Sequence, residues 1–308
     1  MHCNLTVFGA KDSSEIIIEY ISGGLATIDL VVTVSEGVKC RNEISGVANT
    51  LQALCKRLDI QVFEADSYML DDEASRAFFK ENTFDLGIVV GWQRLIPAHV
   101  LNAFQNGIFG FHGNAGYLPF GRGRSPLNWS LLLGDTRFNL NLFRYDEQAD
   151  SPNVFAKEMF QLSAHDNIRT AGYKNLICQK RLVAKLLACH SEGNEIPVHT
   201  ESKDFDSWYE KRTAADGKID FHARTREIYN LIRAVASPFP GAFCYADGKE
   251  VRVWEAHPFD EILDFSGYAP GEVADVFDEK PVVRTVDGSL LIDRYESEVT
   301  LLPGMLLT

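Results

Sequence analysis

Residues 107–129 read Gly107-Ile108-Phe109-Gly110-Phe111-His112-Gly113-Asn114-Ala115-Gly116-Tyr117-Leu118-Pro119-Phe120-Gly121-Arg122-Gly123-Arg124-Ser125-Pro126-Leu127-Asn128-Trp129. The apolar run 107–111 has the character of a buried strand, and a glycine-rich loop follows at 118–125. A helix is predicted after it, with Ser125 as N-cap and Pro126 as first residue. Upstream the same alternation repeats. Residues 5–8, 28–34, 60–63 and 85–90 are short apolar runs predicted as strands. Between them, Val47, Leu51, Leu54 and Leu58 share one face of a helix predicted over 45–58, and 71–81 reads as a polar-faced helix. Strands alternating with helices imply an α/β fold with a Rossmann-like parallel sheet covered on both faces.

Further along, 140–145 reads as another strand, and 191–220 is polar and broken by Gly193, Pro197 and Gly217, as a linker would be. A helix predicted over 223–235 aligns Ile228, Leu231, Ile232 and Val235. After Pro238-Phe239-Pro240-Gly241 come short β-type runs at 242–245, 250–254, 271–277, 282–285 and 289–292. Asp247-Gly248 and Asp287-Gly288 between them favour hairpin turns. The expected organisation is a catalytic domain over 1–190, a linker over 191–220, and a helix plus small β-barrel over 221–308.

Composition narrows the function. The 308 residues carry a formal net charge of −13. Grip on a nucleic-acid backbone needs a basic face, so a small-molecule substrate is favoured over tRNA or DNA. No apolar run approaches the roughly 20 residues that span a bilayer, and the start lacks a signal-peptide pattern, so a cytoplasmic location without membrane contact is expected. The six cysteines show no CxxC spacing and read as reduced core thiols, with no metal site. Gly9-Ala10-Lys11-Asp12 after the first strand is not GxGxxG, and no GxxxxGK[ST] occurs. Whatever binds this sheet is not held by a standard phosphate loop.

The candidate chemistry sits where the chain leaves the sheet. In an open parallel sheet ligands bind beyond the carboxyl ends of the strands, where His112 and Asn114 are expected. Asp150 follows 38 positions later (150 − 112), a carboxylate suited to orienting an imidazole. Arg122 and Arg124 beside a helix N-terminus fit an anionic ligand, or equally a tight turn with two solvated arginines.

Several of these segments together resemble the formyltetrahydrofolate-dependent formyltransferase family, which includes the methionyl-tRNA, glycinamide ribonucleotide and sugar N-formyltransferases. Gly91-Trp92-Gln93-Arg94-Leu95-Ile96-Pro97 is similar to the segment lining the pterin pocket. Leu118-Pro119-Phe120-Gly121-Arg122-Gly123 and Ser125-Pro126-Leu127-Asn128-Trp129 resemble the loop and helix after the catalytic His. Asp220-Phe221, Arg233-Ala234 and Pro238-Phe239-Pro240-Gly241-Ala242-Phe243 resemble the junction into an OB-like C-terminal barrel, to which Pro270-Gly271-Glu272-Val273 and residues 287–292 are also similar.

The resemblance implies an N-formyltransferase with 10-formyltetrahydrofolate as cosubstrate and no metal. The catalytic residues it implies are His112, Asn114 and Asp150. Trp92, Gln93, Arg94, Leu95, Ile96, Tyr145 and Glu147 would line the folate pocket, and Arg122, Gly123 and Arg124 would bind substrate. The expected acceptor is a nucleotide-linked amino sugar of bacterial surface-glycan biosynthesis. The alternatives are methionyl-tRNA, against which the acidic balance counts, and a non-catalytic folate-binding homologue. A homodimer is one role open to the C-terminal domain, a cap over the site the other. One departure stands at the centre: the family has Asn two positions before its His, and here that position is Gly110. The stretch to Leu118-Pro119 is also about two residues longer than usual. Asn114 would supply the missing amide, or, in an alignment counted back from Leu118-Pro119, would exchange places with His112.

Overall fold

The structure, a computed structural model, describes residues 2–41, 50–116, 118–147, 150, 153–193, 195–200 and 206–308. In chain order the first elements are β1 (His2–Phe8), α1 (Asp12–Ser22), β2 (Leu30–Val34), α2 (Glu36–Arg41), α3 (Leu51–Arg57), β3 (Gln61–Ala65), α4 (Glu73–Glu81), β4 (Thr83–Val89), α5 (Ala98–Leu101) and β5 (Ile108–Asn114). Then come β6 (Arg122–Gly123), α6 (Pro126–Leu133), β7 (Arg137–Arg144), β8 (Asn153–Gln161), α7 (Ile168–Ser191), β9 (His199–Thr200) and β10 (Trp208–Tyr209). A 3-10 turn (Ala214–Gly217) and α8 (Thr225–Val235) lead into β11 (Ala242–Ala246), β12 (Lys249–Asp260), β13 (Val273–Phe277), β14 (Lys280–Arg284) and β15 (Ser289–Ser297). Val47, expected on the α3 face, lies outside the described residues.

The chain divides into two compact units. The first comprises residues 1–123, 139–160 and 174–208; the second 124–138, 161–173 and 209–308. In the first, a sheet runs in the order β3-β2-β1-β4-β5-β7-β8-β9. The pairs from β3 to β5 are parallel, and every residue of β2 is buried, as the unbroken Leu-Val-Val-Thr-Val run requires. The sheet is not parallel throughout. β7 pairs with β5 antiparallel, because the connection out of β5 returns beside its carboxyl end instead of crossing back to its start. A cluster around Phe8, Phe79, Phe84 and Phe104 fills one side, with the Phe84 and Phe104 rings stacked at 4.8 Å.

At the carboxyl end of β1, Gly9 lets the chain pass the Ser14 hydroxyl, which donates to Val90 O at 2.7 Å and ties α1 to the exit of β4. The stretch 191–220 holds short elements: β9 extends the large sheet through β8, and β10 pairs with β6. Cys55, Cys178 and Cys244 are buried, but Cys40 is exposed and Cys189 half-buried, so the expectation of core thiols holds for three. Among the described residues, no helix is long and apolar enough to cross a membrane.

In the second unit the antiparallel strands follow the order β11-β12-β15-β14-β13, and α8 buries Ile228 and Ile232 in their core. Asp247 and Gly248 turn β11 into β12 at φ 49° and 73°. The turn from β13 to β14 uses Asp278 and Glu279, at φ 49° and 63°, which no glycine announced. Both edge strands are bridged by the C-terminal tail: Ala246 pairs with Leu307 and Glu272 with Leu306. Ser125 precedes α6 as predicted but is no N-cap by side chain. It lies in the left-handed region at φ 54° and makes no capping bond, so the fixed φ of Pro126 alone favours that helix start.

Arg233 on α8 is buried and organises this unit. Its guanidinium donates to Asn230 Oδ1 at 2.9 Å, to Ser163 O and Asp166 O at 3.0 Å, and to Leu131 O at 3.3 Å. One charge thus serves three loop or helix-end carbonyls, two of which, Ser163 O and Leu131 O, also accept from the N–H groups of Asp166 and Gly134. Arg233→Met keeps the bulk but removes those donors. The expected cost is about 1–3 kcal/mol, read as a lowered urea midpoint for this unit.

Candidate active site

β5 places the site. His112 and Asn114 lie within the strand, which runs three residues past the expected end at Phe111. Period-two geometry then sets Gly110, His112 and Asn114 on one face. Across the antiparallel ladder they oppose Phe143, Asn141 and Asn139 of β7.

His112 is buried, with 6% exposure, and both ring nitrogens are engaged. Nδ1 lies 3.2 Å from Asp150 Oδ1, and Nε2 lies 2.7 Å from the Gly121 carbonyl oxygen. Two acceptors on two nitrogens suit the doubly protonated ring. Burial works against that charge, but the Asp150 carboxylate and the Gly121 carbonyl outweigh it and raise the pKa of His112 above its ordinary value. Burial likewise opposes ionisation of Asp150. The facing imidazolium, the Gly123 N–H at 2.9 Å and the nearby Arg122 charge reverse it and hold the carboxyl below its usual range. Asp150 itself stands at φ 49°, a left-handed position that aspartate tolerates better than most residues.

Asn114 does not face open space. It is wholly buried, its Nδ2 donates to Phe120 O, and its Oδ1 accepts from Gly116 N at 2.7 Å. Its amide fastens the loop after β5. Asn139 adds bonds to Ala115 O and Gly116 O at 2.8 and 2.9 Å, and Asn141 Nδ2 donates to His112 O at 3.1 Å. The sequence reading passed over these two asparagines. Their signal was the Asn139-Leu140-Asn141-Leu142 alternation, in which amides occupy every second place of an otherwise apolar strand.

The basic residues of the loop divide. Arg122 is claimed: it pairs with Asp206 through Nε at 3.0 Å and through Nη2, and stacks over the Trp208 ring at 4.4 Å. Gly123 serves Asp150 with its N–H. Arg124 belongs to the second unit, where its N–H donates to Tyr209 O at 3.1 Å.

The segment 91–97 leaves the carboxyl end of β4, whose Val89 pairs with Gly110. Trp92 and Ile96 turn into the aromatic core, with Trp92 edge-on to Tyr68 at 4.7 Å, while Leu95 is exposed. Gln93 N donates to the Tyr68 hydroxyl at 2.9 Å, and Arg94 lies over the Tyr68 ring at 5.0 Å. Among the described residues the buried Trp92 indole N–H has no acceptor. Tyr145 packs between this core and a smaller one around Leu118 and Phe143, and Glu147 is exposed.

Comparison with known proteins shows the family. Residues 4–184 match the family described as formyl transferase, and residues 211–299 match formyl transferase, C-terminal domain. Among solved structures, the chain resembles HypX from Aquifex aeolicus in complex with tetrahydrofolic acid (TM-score 0.61, 20% identity), covering 97% of this chain and 45% of that one. It thus spans less than half the length of HypX. The N-formyltransferase from Helicobacter canadensis, in complex with folinic acid and dTDP-3-aminofucose, gives a TM-score of 0.67 at 15% identity, covering 94% of this chain and 98% of that one. WlaRD, a sugar 3N-formyl transferase solved with dTDP and 5-N-formyl-THF, gives 0.66 at 15% identity, covering 97% and 98%.

The opposed shifts of the pair have a direct test. With its folded-state pKa raised, His112 contributes stability below about pH 6.5 and loses it as pH rises through the folded value. Asp150, with its value lowered, contributes above its unfolded value and loses that as pH falls through the folded one. An NMR titration should therefore place the His112 imidazole above 6.5 in the native protein. In Asp150→Asn, where burial dominates, it should fall below 6.5.

Proposed function

Because this chain belongs to the formyl transferase family and carries both of its domains, we propose that it moves a formyl group from 10-formyltetrahydrofolate to the amine of a nucleotide-linked amino sugar. The observation that carries the reading is the ion pair between His112, buried on β5, and the half-buried Asp150, with a glycine loop folded over the imidazole Nε2. The formyl donor is a substrate here, consumed in each turnover. The donor set suits it: the 91–97 segment leaves β4 just past Val89, which pairs with Gly110, and its Trp92 indole N–H finds no acceptor among the described residues. Trp92, Gln93, Arg94, Leu95, Ile96, Tyr145 and Glu147 would hold it.

In this reading the sugar amine arrives neutral and attacks the formyl carbon. Asp150 keeps His112 charged, and the Nε2 proton stands ready to donate to the formyl oxygen as negative charge develops there. The Gly121 carbonyl oxygen marks that place by occupying it, so the loop draws back to admit substrate. Asn114 keeps the loop's shape through Phe120 O and Gly116 N, and the second N–H of its amide is a further donor for the oxyanion when the loop draws back.

The sugar acceptor is favoured over methionyl-tRNA by the charge of −13, and by full-length likeness to proteins solved with dTDP or a dTDP-linked amino sugar. A place in bacterial surface-glycan biosynthesis, in the cytoplasm, belongs to the same proposal. The test is tetrahydrofolate release, followed with formyltetrahydrofolate and a panel of nucleotide-linked amino sugars beside charged methionyl-tRNA. Turnover with a sugar and none with tRNA is expected; the reverse would overturn the acceptor assignment. His112→Ala and Asp150→Ala should each lower kcat by about 10²–10⁴-fold while the protein stays folded.

A further inference from the structure

Gly110 stands two residues before His112 on the same face of β5, where a side chain would project beside the imidazole. The space is filled from the next strand. A Cβ on Gly110 would lie 2.8 Å from both Cζ and the hydroxyl oxygen of Tyr145, so the tip of that ring occupies the volume a side chain at 110 would need. The register explains how it gets there. Gly110 opposes Phe143, and Tyr145, whose N–H donates to Ile108 O at 2.8 Å, reaches Gly110 along the diagonal of the ladder.

The ring is well held, tilted against Phe143 at 5.0 Å and packed on both apolar clusters. Its hydroxyl is another matter: among the described residues no hydrogen bond claims it. Burial first, then the neighbouring Asp150 and Tyr68, push the phenol's pKa well up, so it stays protonated and can only donate or accept as a neutral group. A half-buried, protonated phenol whose tip fills the place beside Gly110, two residues before His112 on the same face, has a proton to offer an acceptor bound there.

We propose that Tyr145 is a catalytic residue whose hydroxyl donates a hydrogen bond to the oxyanion formed at the formyl carbon. The proposal rests on the formyl-transfer reading above. The amine lone pair forms the new C–N bond while the carbonyl π pair moves onto oxygen; Tyr145 and His112 donate to that oxygen. When the pair returns, the bond from the formyl carbon to the folate nitrogen breaks. That nitrogen takes up the proton the amine loses, releasing tetrahydrofolate and the formamide. Tyr145 keeps its own proton throughout.

Tyr145→Phe retains the ring packing and deletes the donor. It should lower kcat by about 10²–10³-fold with little change in KM for either substrate. Unchanged kcat would overturn the proposal. A second pair of variants separates lost chemistry from lost packing. Tyr145→Ala opens the space over position 110, and Gly110→Asn added to it puts an amide donor on the same face. The double variant should recover at least tenfold of the turnover that Tyr145→Ala loses, and no recovery would count against the hydroxyl as the missing group. Native protein that releases tetrahydrofolate normally beside an equally active Tyr145→Phe sinks Tyr145 alone. Native protein that releases none with any amine sinks the formyl-transfer reading and this proposal together.

Discussion

A single half-buried carboxylate holds the candidate site in shape. Asp150 takes the His112 ring with one oxygen and the Gly123 N–H with the other, so the imidazole and the loop that covers it share one anchor. Burial penalises each charge, and each partner favours the charged form of the other. Such a pair is a poor source of stability but an effective way to fix the protonation state of a histidine. The loop follows: Gly121 meets Nε2, and Arg122 is pinned outward to Asp206 and Trp208.

The second shell of this anchor is built from amides. Asn114, Asn139 and Asn141 satisfy the backbone carbonyls and one N–H around the strand end, so the chain can leave the sheet inside a buried region. Three asparagines on two facing strands would be costly in an ordinary core. Their bonds to Phe120, Gly116, Ala115 and His112 explain why they are tolerated here. Asn141 Oδ1 is still left without a partner.

Much of this was legible in the chain. The apolar runs gave the strand order's raw material, and the α8 face of Ile228 and Ile232 was correctly read from its period. The Asp247-Gly248 hairpin followed from the turn chemistry of its two residues. The pairing of His112 with Asp150 comes from the resemblance, since spacing alone leaves Asp150 a common loop aspartate, and the structure brings the two within 3.2 Å. Other features were invisible for physical reasons. The reversal at β7 depends on where a connection returns, which periodicity does not encode. Asp278-Glu279 adopts a left-handed turn without glycine, so no residue type announced it. The 24-residue α7 carries polar residues around much of its surface, which blurs its apolar stripe. The recruitment of 124–138 and 161–173 into the C-terminal unit joins segments distant in the chain, as the buried Arg233 does with Leu131, Ser163 and Asp166.

The tail of the second unit has a bearing on association. A five-stranded antiparallel sheet offers two edges whose unpaired N–H and C=O groups invite another strand. Here residues 306–308 lie against the end of β11, where Thr308 exchanges bonds with Tyr245, and against Gly271 and Glu272 just before β13, where Leu307 donates to Gly271. The same short peptide thus joins the two margins of the sheet. A second copy adding a strand at either of these places would first have to peel that peptide away.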